Sequence, residues 1–123
     1  MLKPVETIEI LQKQPDSQAF TAGDTIFSEG ETGKVMYGIL EGKVEILVDG
    51  NVLETIDSGD IFGAGALVHV DHKRQSTAIA KTDCKLASLD QRHFLFAIEN
   101  TPMFAVEVMR SYSNRLYHFK HDS

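Results

Sequence analysis

Apolar positions change period twice along the chain. Near the start, Leu2, Val5, Ile8 and Leu11 fall at helical spacing, which predicts a short helix over about residues 4–13. Pro15 ends it, because proline disfavours helix in the residue before it. From about residue 17 to residue 89 the pattern is that of short strands. Glycines at 23, 30, 33, 42, 50, 59 and 63 punctuate it. Turns about every eight to twelve residues, with β-rich segments between them, predict a sandwich or barrel. Val44, Ile46 and Val48 share one face of a strand over 43–48. Val35 to Leu40 is apolar on both faces, as in a strand with little solvent contact. Asp49-Gly50 predicts a tight hairpin, since a type I′ turn needs positive φ at both central residues. It joins 43–48 to 52–56, and further strands are expected at about 75–80 and 84–89.

The tail returns to helical period. Asp90 can cap a helix over Gln91 to Ile98. Thr101 can cap the next, with Pro102 at its first position, where a missing N–H costs nothing. On this last helix Ala105, Met109, Tyr112, Leu116 and Phe119 form a heptad-like stripe, expected to be core or a dimer seam.

Composition narrows the function classes. The 123 residues fit one domain, and 42% hydrophobic with 24% charged residues is a globular balance. A net charge of −6 argues against a phosphate backbone as partner and against a polybasic membrane anchor. Cys84, the one cysteine, cannot form an internal disulfide. No basic-then-apolar leader opens the sequence, and the longest largely apolar run, Ile61 to Val70, is far short of a membrane span. A soluble cytoplasmic domain is the expectation.

Most candidate chemistry is weak. His69-Val70-Asp71-His72 lacks a second ligand pair at a metal-site spacing and reads as a polar loop, so no metal is expected. Cys84 alternates with Leu86 and reads as a small buried hydrophobe, not a nucleophile. Asp24, Glu29 and Asp60 read as turn-fixing residues. Arg110, Arg115 and Lys120 read as a solvated helix face. There is no phosphate-loop lysine and no serine elbow, so no catalytic residues are assigned and an enzyme is the least supported class. One stretch stands apart. Gly59-Asp60-Ile61-Phe62-Gly63-Ala64-Gly65-Ala66-Leu67 is followed, after a polar segment, by Arg74-Gln75-Ser76-Thr77. If the segment after Gly63 makes a helical turn, its amides and the Arg74 guanidinium can meet one anion. Taken alone, the signal is weak, and a β-turn with a surface arginine is the favoured reading of the same residues.

The spacing of the whole pattern resembles the cyclic-nucleotide-binding domain family of catabolite activator proteins and kinase regulatory subunits. The resemblance runs through Phe20 to Gly30, Tyr37 to Val44, Gly59 to Gly63, Arg74 and Ala80 to Thr82. It implies a mainly β fold: an eight-stranded β-roll (a jelly roll, or double-stranded β-helix) over about 17–89. An N-terminal helix would precede it and C-terminal helices over about 91–119 would follow. It implies no cofactor, but a cyclic nucleotide as ligand, with cyclic AMP the first expectation. Gly63, Ala64, Gly65, Ala66 and Leu67 would form the phosphate cassette with Arg74, beside Gln75 and Ser76; Tyr112 and Phe119 would close over the base. Binding would shift the C-terminal helix, the expected docking face for a second copy or a partner protein. The family's DNA-reading members continue into a helix-turn-helix, whereas this sequence stops at Ser123, so no DNA contact is expected.

The sequence departs from the family at one position. Where the family has a glutamate that accepts from the ribose 2′-hydroxyl, Ala64 stands here. A hydrogen bond to a charged group contributes about 1.5–3 kcal/mol, so its loss weakens binding roughly ten- to a hundredfold. Weak nucleotide binding, another anionic ligand, or a degenerate fold used only for protein interaction or dimerisation all remain open.

Overall fold

A computed structural model describes residues 17–121. The helix expected at 4–13 lies outside the described residues. Among the described residues there are eight strands: β1 (Gln18–Phe20), β2 (Thr25–Phe27), β3 (Val35–Glu41), β4 (Lys43–Val48), β5 (Asn51–Asp57), β6 (Ile61–Phe62), β7 (Thr77–Ala80) and β8 (Cys84–Asp90). They form two antiparallel four-stranded sheets, ordered β1-β8-β3-β6 and β2-β7-β4-β5. Helices α1 (Gly65–Val68), α2 (Gln91–Asn100) and α3 (Pro102–His121) complete the fold. It is the β-roll with C-terminal helices.

Period explains which strands are buried on two faces. Tyr37 and Ile39 of β3 point into the roll and pack with Phe27, Val44, Ile56, Phe62 and Leu86. The alternate residue Met36 points the other way, into a second core with Phe94, Ala97, Phe104 and Val108 of the helices. Strand β8 divides in the same manner, Cys84 and Leu86 inward and Ala87 and Leu89 toward the helices. β3 therefore looks apolar over Val35 to Leu40 because it is shared by two cores, whereas β8, shared in the same way, is interrupted by Lys85 and Ser88.

Local signals set the connections. Asp49 and Gly50 both have positive φ (51° and 80°), and Val48 pairs with Asn51, as a type I′ hairpin requires. In β5 the register jumps between Glu54, opposite Ile46, and Val52, opposite Leu47, so Leu53 is bulged out. Asp90 caps α2 by accepting from the His93 amide at 2.8 Å. That amide, more than any other cause, lowers the Asp90 pKa from its ordinary value.

The expected stripe on α3 is rotated. Phe104 and Val108 face the core, whereas Met109, Leu116 and Phe119 are exposed. The cause is that the inward face continues with Tyr112 and Arg115, a polar residue that apolar periodicity does not count. Among the described residues no helix is long and apolar enough to cross a membrane.

Candidate functional site

The chain leaves β6 through Gly63, whose φ of +83° favours glycine. The fit is also steric: a Cβ there would lie 3.0 Å from Arg74 Nη1 and 3.3 Å from the Phe27 ring. Ala64 follows in helical conformation and α1 makes the short turn foreseen for this segment. Leu67 N donates to the Ala64 carbonyl at 3.0 Å, and the His72 ring nitrogen Nδ1 lies 2.9 Å from the Ala66 carbonyl oxygen. That contact ties the loop of residues 69–73 to the cassette. Gly65 and Ala66 hold the first two amides of α1, which helix geometry leaves without intrahelical acceptors.

Arg74 enters from the strand side. Its amide donates to Glu31 O and its carbonyl accepts from Gly30 N, which fixes the backbone before β7. The side chain turns inward and is only 6% exposed. Nη1 donates to Gly63 O at 2.8 Å and Nη2 to Val35 O at 2.6 Å. The guanidinium carbon stands 4.0 Å from the centre of the Phe27 ring. Gly33 admits this packing, since a Cβ on it would come within 2.4 Å of Arg74 Nε. Arg74 is thus aimed at the turn after Phe62, as the sequence pattern demanded.

Its charge balance is unusual. Among the described residues no carboxylate forms an ion pair with Arg74; its recorded acceptors are neutral carbonyls. Burial lowers its pKa from the ordinary value, opposed by charge interactions with Tyr37, Tyr112 and Glu31. Guanidinium stays protonated all the same. A buried cation whose hydrogen-bond acceptors are neutral carbonyls, with Glu31 acting beyond ion-pair distance, is stabilised by an anion that reaches it.

Tyr112 of α3 meets the cassette directly. The Ala64 amide donates to the Tyr112 hydroxyl at 3.1 Å. Burial raises the Tyr112 pKa above its ordinary value, so the phenol is neutral. Phe119 is placed elsewhere. With Leu53, Glu54, Asp60, Tyr112 and Leu116 it lines a groove of about 750 Å³ between β5 and α3, and Arg74 is not in its lining. Gln75 is exposed and Ser76 half-buried beside Arg74.

Arg115 corrects a reading from sequence. It is not on a solvated face but pinned to the roll. Nε donates to Glu54 at 2.9 Å, and Nη1 to Ile61 O at 2.8 Å and Ser111 Oγ at 2.7 Å. Asp60 lies 3.4 Å from Nη1 and also accepts from Ser111. Asp60 therefore does more than fix its turn. The Arg115 guanidinium also stacks over the Tyr112 ring at 4.4 Å. The missed signal was Phe104, Val108, Ser111 and Arg115, spaced four, three and four.

A family model described as the cyclic nucleotide-binding domain matches residues 17–101. The chain belongs to the cyclic nucleotide-binding domain family. Members of this family are regulatory, generally non-catalytic domains, and a cyclic nucleotide is the ligand that membership implies. The regulatory subunit of the cAMP-dependent protein kinase of Schizosaccharomyces pombe is 34% identical over 93 residues, covering 75% of this chain and 21% of that protein. The chain thus spans about a fifth of that relative's length. Two solved structures share the fold. The catabolite activator protein of Thermus thermophilus superposes with a TM-score of 0.74 at 23% identity, covering 95% of this chain and 57% of that one. The c-di-GMP responsive global regulator CLP of Xanthomonas campestris gives 0.80 at 18% identity, covering 95% and 60%.

Proposed function

We propose that this domain senses a cyclic nucleotide, cyclic AMP first, and reports its presence through α3. The observation that carries the reading is Arg74, buried, in no ion pair among the described residues and facing the Gly63 turn. In this reading the cyclic nucleotide lies against Arg74, Gly63 and the amides of Ala64, Gly65 and Ala66, with Gln75 and Ser76 at the rim. Two of the five guanidinium N–H donors serve recorded carbonyl acceptors. The kinase relative supports cyclic AMP as the first ligand to test.

Ala64 sets the expected strength. Without an acceptor for the ribose 2′-hydroxyl, affinity falls roughly ten- to a hundredfold below that of a glutamate-bearing cassette. Removal of the 2′-hydroxyl from the ligand should then change little. Titration calorimetry with cyclic AMP and cyclic GMP should give measurable heat with the native chain and none with Arg74→Ala. No heat from either nucleotide at millimolar concentration defeats the reading.

A second reading rests on the exposed apolar residues Met109, Leu116 and Phe119 of α3. They suit an interaction or dimerisation face that needs no nucleotide. Sedimentation tests it: a ligand-independent dimer broken by Leu116→Asp supports the face, and a strict monomer counts against it.

A further inference from the structure

Ala64 does more than lack a carboxylate. It is 4% exposed and belongs to the core formed with Met36, Leu67, Phe104 and Val108, so its methyl group helps seat α3. A glutamate at this position would bring a carboxylate into that apolar cluster, where an unpaired charge is costly. The substitution that removes a ribose contact is therefore also the one that lets α3 close on the cassette. The closure has a polar contact of its own, because the Ala64 amide is already engaged by the Tyr112 hydroxyl at 3.1 Å.

We infer that Tyr112 is an internal competitor of the ligand: in the free protein its hydroxyl oxygen fills the place at the Ala64 amide that a ligand oxygen takes, so α3 closure and binding exclude one another there. The inference rests on the sensing reading above and gives it a mechanism of regulation. Arg115 sets how firmly the competitor is held. It stacks on the Tyr112 ring and anchors α3 to Glu54 and to the Ile61 carbonyl on the roll. An arriving anion gains Arg74 and the cassette amides but must first displace the phenol. Displacement frees the tyrosine ring from Arg115, and the position of α3 then reports occupancy.

Tyr112→Phe keeps the ring and deletes the competing oxygen. Two measurements on the full chain test the idea. In ligand-free protein, the Ala64 amide should exchange its hydrogen faster in Tyr112→Phe than in the native chain, read by NMR. In calorimetry, cyclic AMP should bind Tyr112→Phe about two- to tenfold more tightly, the equivalent of one neutral hydrogen bond. Arg115→Gln, which loosens the anchor and leaves the phenol in place, should shift affinity the same way by less. If cyclic AMP binds the native chain and Tyr112→Phe binds it equally or more weakly, the competitor idea is overturned while sensing stands. If neither protein binds, the sensing reading fails, and the exchange rate alone judges the contact: no acceleration at Ala64 overturns it as well.

Discussion

Two arginines hold the two ends of β6, Arg115 at Asp60 and Ile61 and Arg74 at Gly63, and they are treated differently. Arg115 gathers two carboxylates, a carbonyl and a hydroxyl, so its charge is matched where it sits. Arg74 is more buried and is recorded with two carbonyls and one aromatic face. The first arrangement is that of a clamp, complete within the protein. The second leaves a desolvated cation in no ion pair among the described residues, the feature on which the proposed anion site rests. Burial alone would not separate the two; the charge of the partners does.

Exchanging each arginine should separate binding from stability. The largest effect expected is on ligand affinity. Arg74→Ala removes charge-assisted hydrogen bonds together worth about 3 kcal/mol and should weaken cyclic AMP binding by at least about a hundredfold. Arg115→Ala should leave affinity undiminished. A comparable loss from both would erase the distinction. Next in size is Ala64→Glu. Restoring a ribose acceptor and loosening α3 should tighten cyclic AMP roughly ten- to a hundredfold and 2′-deoxy cyclic AMP by clearly less. Equal gains for both nucleotides would mean that the glutamate acts by dislodging α3 and not by meeting the ribose.

Stability should invert the ranking of the two arginines. Arg115→Met strands Glu54, leaves Asp60 with Ser111 and the Ile61 amide but no cation, and should cost about 2 kcal/mol in urea unfolding. Arg74→Met removes a buried charge together with its desolvation penalty and should cost less. A larger loss at Arg74 would show that its carbonyl contacts outweigh that penalty. The smallest effect lies away from both. Asp90→Ala removes the α2 cap and should cost about 1 kcal/mol near neutral pH. The Asp90 pKa is lowered in the folded protein, so the carboxylate's contribution is complete above the unfolded Asp pKa of about 3.9. It is lost as pH falls through the folded value. Native and Asp90→Ala unfolding curves should therefore converge in acid, and a gap unchanged in acid would rule out the charged cap.

Much of the roll was legible because its signals are local. The Asp49-Gly50 turn, the two-faced strand over 35–40 and the Asp90 cap each depend on a few adjacent residues, and each is found. The inward direction of Arg74 was legible only through the spacing of the whole family pattern. The α3 face was misjudged because apolar periodicity ignores an arginine whose partners lie far away in sequence. Helical spacing links Phe119 to Tyr112, and both line the groove at β5, but only Tyr112 has a hydrogen bond to the turn after Gly63.

By itself the sequence determined the strand alternation, the positions of the turns and the cassette with its alanine, since each is set by period two or by the backbone preferences of single residues. Tertiary structure alone decided that Tyr112 of α3 meets the turn after Gly63. The Ala64–Tyr112 contact joins residues 48 apart and the Arg115–Glu54 contact residues 61 apart. Such contacts follow from how α3 packs against two sheets, a three-dimensional outcome to which hydrophobic periodicity carries no reference.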